Sequence, residues 1–276
     1  MNVRDVDQQF WSNDRAPHLT IRSTTDCRLG YKAHSHPQLS IGIIESGATC
    51  LSIEGRDIRL NKGDLILIPP NVVHACNPIA GQSRSYYMLY IEDSWCREVI
   101  PRVNQSTVGR SNIKPVCINA SQLTNEFSGL IKCLIQGKTN ENLTEINELL
   151  LTILKRKYDT STINNPIDRL AVEIKIKLID NIAKPVKIED IAKEFSCTSE
   201  SIIRRFKAYF GSTPKSFLNN YRIERAKKLL DHNMAIVDVA IEVGYSDQSQ
   251  FHRHFVNYTA STPRQYQQAK SILDNK

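Results

Sequence analysis

Three histidines carry the first chemical signal in this chain. His34 and His36 form a His-x-His pair, and His74 closes a Pro-Pro-Asn-x-x-His run that follows a Gly-Asp pair. Neutral imidazoles can hold a divalent metal such as Zn²⁺ or Ni²⁺, with Cys76 or Cys50 able to add a thiolate. The same rings can instead line a packed pocket as hydrogen-bonding groups. The seven cysteines, at 27, 50, 76, 96, 117, 133 and 197, are odd in number and never form a Cys-x-x-Cys pair. They read as reduced thiols, not as a disulfide framework or a zinc ribbon. No nucleophile triad, phosphate-binding glycine loop or pair of acid-base carboxylates can be placed on the sequence, so catalysis is not expected.

The second signal is a repeat. IEDIAKEFSCTSESIIRRFKAYFGSTP (188–214) aligns with IVDVAIEVGYSDQSQFHRHFVNYTASTP (236–263). Ala192 matches Ala240 at an offset of 48, whereas Phe206 matches Phe255 and Pro214 matches Pro263 at 49, so the second copy has one extra residue at its turn. Each copy reads as a short helix, a turn, and a second helix. The apolar positions of that second helix (Ile202, Phe206, Phe210; Phe251, Phe255, Tyr258) leave one face polar. This is the pattern of a helix-turn-helix unit, in which a small Ala allows close helix crossing and the second helix offers its free face to a major groove. Any helical bundle contains helix pairs, and one alone would be weak evidence. Two matched copies joined by SFLNNYRIERAKKLLD are much stronger.

The elements around these residues suggest two domains. The 276 residues are 41% hydrophobic and 24% charged with 11 Gly and 11 Pro, which excludes a disordered or collagen-like chain. From about 19 to 92, short apolar runs alternate with turn signals (LSIGIIESG, ATCLSIEG, RDIRLNKGD, LILIPPN, YYMLYIED), as in an antiparallel sandwich or barrel. Beyond Ile118, apolar residues recur at threes and fours through Leu154, as in amphipathic helices. The polar stretch DTSTINNP, 159–166, has linker character, with Pro166 suited to a first helical turn. Seven short helices are expected after it, over roughly 167–182, 188–195, 199–209, 214–230, 236–243, 247–257 and 263–270. The net charge is +7, and residues 164–276 hold 18 of the 36 Lys and Arg but only 13 of the 29 Asp and Glu. That concentrated basic excess suits a phosphate backbone or an anionic surface, and equally a solvated face. The amino terminus is too acidic and polar for a secretory signal, and no run approaches eighteen apolar residues. A cytoplasmic protein with no membrane partner is expected.

The segments RIERAKKLL, IA-x-E-V-G-Y-S-D-Q-S-Q-F-x-R-x-F and the paired Ser-Thr-Pro elements make residues 165–270 resemble the DNA-binding domain of AraC/XylS transcriptional regulators. The resemblance implies double-stranded DNA as partner, with two helix-turn-helix units entering successive major grooves. Carried over by position, the first recognition helix presents Ser199, Glu200, Ile203 and Arg204, and the second presents Gln248, Ser249, Gln250, His252 and Arg253. Both arginines suit guanine, and the glutamines suit adenine. Two departures stand out: Ser196 where the family usually has Gly, and Ala260 where the first copy has Gly211. A left-handed backbone at 196 would strain that turn by about 1 kcal/mol. Glu200 repels phosphate, so the first unit should read bases selectively or bind less tightly.

The ordering around the histidines resembles the small β-barrel of the cupin superfamily over residues 19–95, which is also the usual sensing domain of AraC-type regulators. In metal-binding cupins a Glu joins three His. Here its position, near Ser40 or Ile41, is lost, although Glu45 lies further along the strand. The expectation is a small-molecule effector pocket lined by His34, His36, His74, Gln38, Tyr31 and Tyr87, with no cofactor. The alternative is a divalent metal on His34, His36 and His74, in a cupin metalloenzyme or a metal sensor.

The expected whole is a two-domain α+β protein. Residues 1–115 form a cupin-like antiparallel barrel, 116–163 a helical dimerisation or linker region, and 164–276 an all-α domain with two helix-turn-helix motifs. The helices within 121–157 either form a homodimer or pack on their own barrel. A regulator that activates would also engage RNA polymerase.

Overall fold

The computed structural model describes residues 6–99, 116–119, 121–138, 140–157 and 167–271. The expected linker at 159–166, with Pro166, lies outside the described residues. The chain divides into two compact units, one holding 6–30, 35–157 and 269–271 of the described residues, the other 31–34 and 167–268.

Among the described residues the first unit holds nine strands: β1 (Asp7–Trp11), β2 (Leu19–Cys27), β3 (Leu39–Ser46), β4 (Ala48–Ile53), β5 (Arg56–Asn61), β6 (Asp64–Ile68), β7 (His74–Pro78), β8 (Arg84–Ile91) and β9 (Val116–Asn119). They form a six-stranded sheet in the order β1-β2-β8-β3-β6-β9 and a three-stranded sheet in the order β5-β4-β7, with every pairing antiparallel. Strand alternation splits the large sheet into two chemically different faces. Across one face run Ile21, Leu89, Ile41 and Leu67, in register. Across the other run Arg22, Met88, Gly42 and Ile66, with Thr20, Tyr90, Ser40 and Ile68 in the next row.

The apolar face is covered by two helices, α2 (Ser121–Ile135) and α3 (Asn140–Lys157), which follow a short α1 (Asp93–Val99). Phe127, Ile131 and Leu134 from α2 and Ile146, Leu150 and Leu154 from α3 are fully buried in one core with Leu39, Ile41, Leu65 and Leu89. Thr124 donates to Gly63 O at 2.8 Å, and Lys132 pairs with Glu45 at 2.9 Å. Of the region 116–163, expected apart from the barrel, the described residues pack with the sheet unit. Their first strand pairs with β6 and their helices share the sheet's core. The apolar stripe legible in the sequence is covered by the chain's own sheet.

The second unit is all-helical: α4 (Arg169–Asp180), α5 (Ile188–Glu194), α6 (Ser199–Phe210), α7 (Pro214–Asp231), α8 (Ile236–Glu242), α9 (Gln248–Thr259) and α10 (Pro263–Ser271). Ile191, Ala192, Ile202 and Phe206 of the first helix pair close on Ile174 and Leu178 of α4. Val239, Ala240, Phe251 and Phe255 are among the buried residues of the second pair. Between the pairs, α7 buries Leu218, Ile223, Ala226 and Leu230. No helix among the described residues is long and apolar enough to cross a membrane.

Candidate nucleic-acid interface and effector site

The duplication extends to individual backbone hydrogen bonds. After α5, Phe195 N–H donates to Ile191 O, Ser196 N–H to Lys193 O and Cys197 N–H to Ala192 O; after α8, Val243, Gly244 and Tyr245 repeat this to Val239, Ile241 and Ala240. The offset then changes from 48 to 49 within the turn, where the sequence places its extra residue. Thr198 caps α6 by accepting from Ser201 N–H, and Asp247 caps α9 by accepting from Gln250 N–H. Both helices end on a left-handed residue, Gly211 (φ 76) and Ala260 (φ 50), whose N–H bonds at 2.8 Å to Lys207 O and Val256 O. Ser196 is left-handed too, at φ 50, so the anticipated strain is present.

These caps and buried positions fix which way α6 and α9 face. Ile202 and Phe206 point into the core, leaving Glu200, Ile203 and Arg204 exposed and Ser199 half-buried. On α9, Phe251 and Phe255 are buried while Gln248, Ser249 and Arg253 are exposed and His252 is half-buried. Arg204 and Arg253 therefore occupy equivalent points on equivalent helices.

Gln250 is the exception among the expected readers. Its Oε1 accepts from Ser246 N–H at 3.2 Å while its own N–H donates to Asp247 Oδ1 at 2.7 Å, a reciprocal capping arrangement. The Gln250 N–H and the Ser246 hydroxyl hold the Asp247 carboxyl below the usual carboxylate range. Arg205, which sequence reasoning passed over, reaches both carboxylate oxygens of Asp168 at 2.9 and 2.7 Å and ties α6 to the start of α4. Nothing in the local pattern separates it from Arg204, because only the packing shows which arginine meets Asp168.

In the sheet unit, His36 and His74 come together. Their ring centroids lie 5.1 Å apart, edge to face, and His36 stands 5.4 Å from Tyr90 on the polar face of the large sheet. His74 belongs to β7, so the trio spans the two sheets. His36 Nδ1–H donates to Gln38 O and His74 Nδ1–H to Val72 O, both at 2.9 Å. Burial pulls His74 down to about 4, against the hydrogen bond from its own ring to Val72, so the ring is neutral near pH 7. Ser40 Oγ and Thr24 Oγ1, on this same face, are buried with no hydrogen-bond partner among the described residues.

Of the other expected effector residues, Gln38 adjoins His36 through its carbonyl, which accepts from His36 Nδ1–H. His34 donates to Lys32 O at 2.8 Å and its ring lies tilted, 5.8 Å from that of Tyr31, in the 31–34 segment that groups with the helical unit. Gln38 donates to Glu92 at 3.1 Å. Tyr87 points to the opposite face of the sheet, into the core under the helices, because strand alternation puts Tyr86 and Tyr90 on the histidine side.

This donor set does not fit the metal that the barrel resemblance implies. Glu45 faces α2, where it takes the Ser128 hydroxyl and Lys132, and burial pushes the Cys76 thiol up to about 11. Among the described residues, no three His, Cys, Asp or Glu side chains group closely enough to hold an ion. The structure therefore lends no support to a metalloenzyme or a metal sensor.

Two family models match. An AraC-like ligand binding domain covers residues 17–154 and a helix-turn-helix domain covers 191–269. The HTH-type transcriptional regulator YbfI of Bacillus subtilis is 27% identical over 226 residues, covering 78% of this chain and 79% of that one. The transcriptional regulatory protein HptR of Staphylococcus aureus is 27% identical over 161 residues, 57% of this chain and 60% of its own. Among solved structures, ToxT from Vibrio cholerae superimposes with a TM-score of 0.57 at 14% identity, over 96% of this chain and 98% of that one. This likeness extends the shared architecture over both units.

Proposed function

Because the chain belongs to the AraC/XylS family of transcriptional regulators, we propose that it binds DNA sequence-specifically by laying α6 and α9 into successive major grooves, under the control of a small molecule held beside His36 and His74. The observation that carries this reading is the match between the two copies, bond for bond through the turns, with Arg204 and Arg253 exposed at equivalent places. The 18 residues of α7 span about 27 Å at 1.5 Å per residue, a spacing on the order of one turn of DNA. In the sheet unit, the rings of His36, His74 and Tyr90, the Ser40 and Thr24 hydroxyls and the buried Arg22 guanidinium on the same face give a polar interior suited to a polar small molecule. Such a ligand changes DNA affinity only to the extent that it binds the two conformations of the regulator unequally. RNA polymerase is the protein partner for an activating role, and a second copy of the chain is the partner for a homodimer.

The test uses the full chain. Duplexes selected from a random pool are footprinted with hydroxyl radicals, and two protected segments about one helical turn apart are expected. On the selected site, Arg204→Ala and Arg253→Ala each cost roughly 1 to 3 kcal/mol, while weak binding to random DNA largely survives. Protection of a single groove would overturn the two-unit arrangement. An equal loss on both DNAs would reduce the arginines to phosphate contacts.

A further inference from the structure

Ile203 is out of character with its surroundings. It sits one residue from Ile202, which is 1% exposed and packed in the core, but its own side chain is 38% exposed. Its flank on the outer face of α6 is Glu200 and Arg204, and the equivalent place on α9 is the polar His252. Ile203 is not among the residues of the core that Ile202 and Phe206 form. A β-branched residue in a helix is stiff about its first torsion, so ordering it against a ligand costs little entropy. Among the base edges that line a major groove, only thymine presents a methyl group, and an apolar side chain is the partner that reads it.

We propose that Ile203 reads the C5-methyl of a thymine in the half-site of the first unit. The inference rests on the proposed insertion of α6 into a major groove and adds a specificity to it. The neighbouring groups extend the same subsite, since Arg204 suits guanine and the Glu200 carboxylate accepts from a cytosine amino group. Because His252 replaces Ile203 in the second copy, the two half-sites differ in sequence and the protein binds in one orientation.

Deoxyuridine pairs as thymine does and lacks only the methyl, so it isolates this contact. Each thymine of a duplex selected by the full chain is replaced in turn, and affinity is read by fluorescence anisotropy. One replacement weakens the wild-type protein roughly fourfold, the worth of one buried methyl. At that position Ile203→Ala binds the thymine and uracil duplexes equally, Ile203→Val keeps part of the preference, and His252→Ala keeps all of it. Ile203 is a surface position and Ala a better helix former, so the variant folds. If no replacement matters, or if the same replacement weakens Ile203→Ala as much as wild type, Ile203 reads no methyl. Failure to select any duplex would count against sequence-specific binding itself, a different outcome from either of these.

Discussion

His74 is the buried ionisable group with the most to lose on acidification. Its ring is packed between the two sheets and held down to about 4, whereas in the unfolded chain it titrates near 6.5. Between those values the unfolded state binds the extra proton and the folded state does not, so stability rises with pH through the window and is lost as pH falls from 6.5 to 4. The full effect is on the order of 3 kcal/mol. Urea titrations of the whole chain at pH 7, 5.5 and 4.5 should show the midpoint of the sheet unit falling, and His74→Gln should flatten that slope. A slope unchanged in His74→Gln would assign the acid sensitivity to other groups. Gln250 makes the complementary point for polar residues: its place on the exposed helix suggests a base reader, yet its side chain is engaged with Ser246.

At the scale of elements, each helix-turn-helix copy needs two left-handed residues, one in the turn and one at the end of the second helix. The first copy has Ser196 and Gly211 there, and the second has Gly244 and Ala260. Each copy thus carries one glycine and one strained residue, in opposite order. A non-glycine residue in this conformation costs about 1 to 2 kcal/mol, and glycine returns about half of that through the entropy of the unfolded chain. Ser196→Gly and Ala260→Gly are each expected to stabilise the helical unit by up to about 1 kcal/mol, measured by thermal or urea unfolding. Gly244→Ala should do the reverse and more severely. A Cβ there would lie 2.5 Å from Ala183 Cα and 2.7 Å from Ile182 O, against backbone that cannot move aside cheaply. Loss of stability on Ser196→Gly would mean that its side chain compensates the strain.

For the molecule as a whole, charge and function divide along the same line. The basic excess falls in residues 164–276, where the paired helices lie, while the sheet unit is close to balanced. Binding that follows two grooves neutralises many phosphates, and each contributes a slope of about −0.9 to the dependence of log affinity on log salt. With about six to ten such contacts, affinity for the selected duplex should fall by roughly 10³ to 10⁵ between 50 and 200 mM salt. A slope near −2 would limit the contact to one groove, whatever the arrangement of the two units.

The sequence by itself determined the class of each unit, the boundaries of the paired helices and the one-residue offset at their turns. These depend on local periods, caps and repeat arithmetic, all written in contiguous residues. Tertiary structure alone decided which side chains meet. The meeting of His36 with His74, and the turning of Tyr87 away from the face that Tyr90 shares, depend on strand register and loop path between residues far apart in the chain. A period-2 pattern says that neighbours face opposite ways but not which way is inward when both faces of a sheet are covered. The same limit hid the role of Arg205. Its charge is legible, whereas its ion pair with Asp168, 37 residues away, exists only because α4 and α6 pack together.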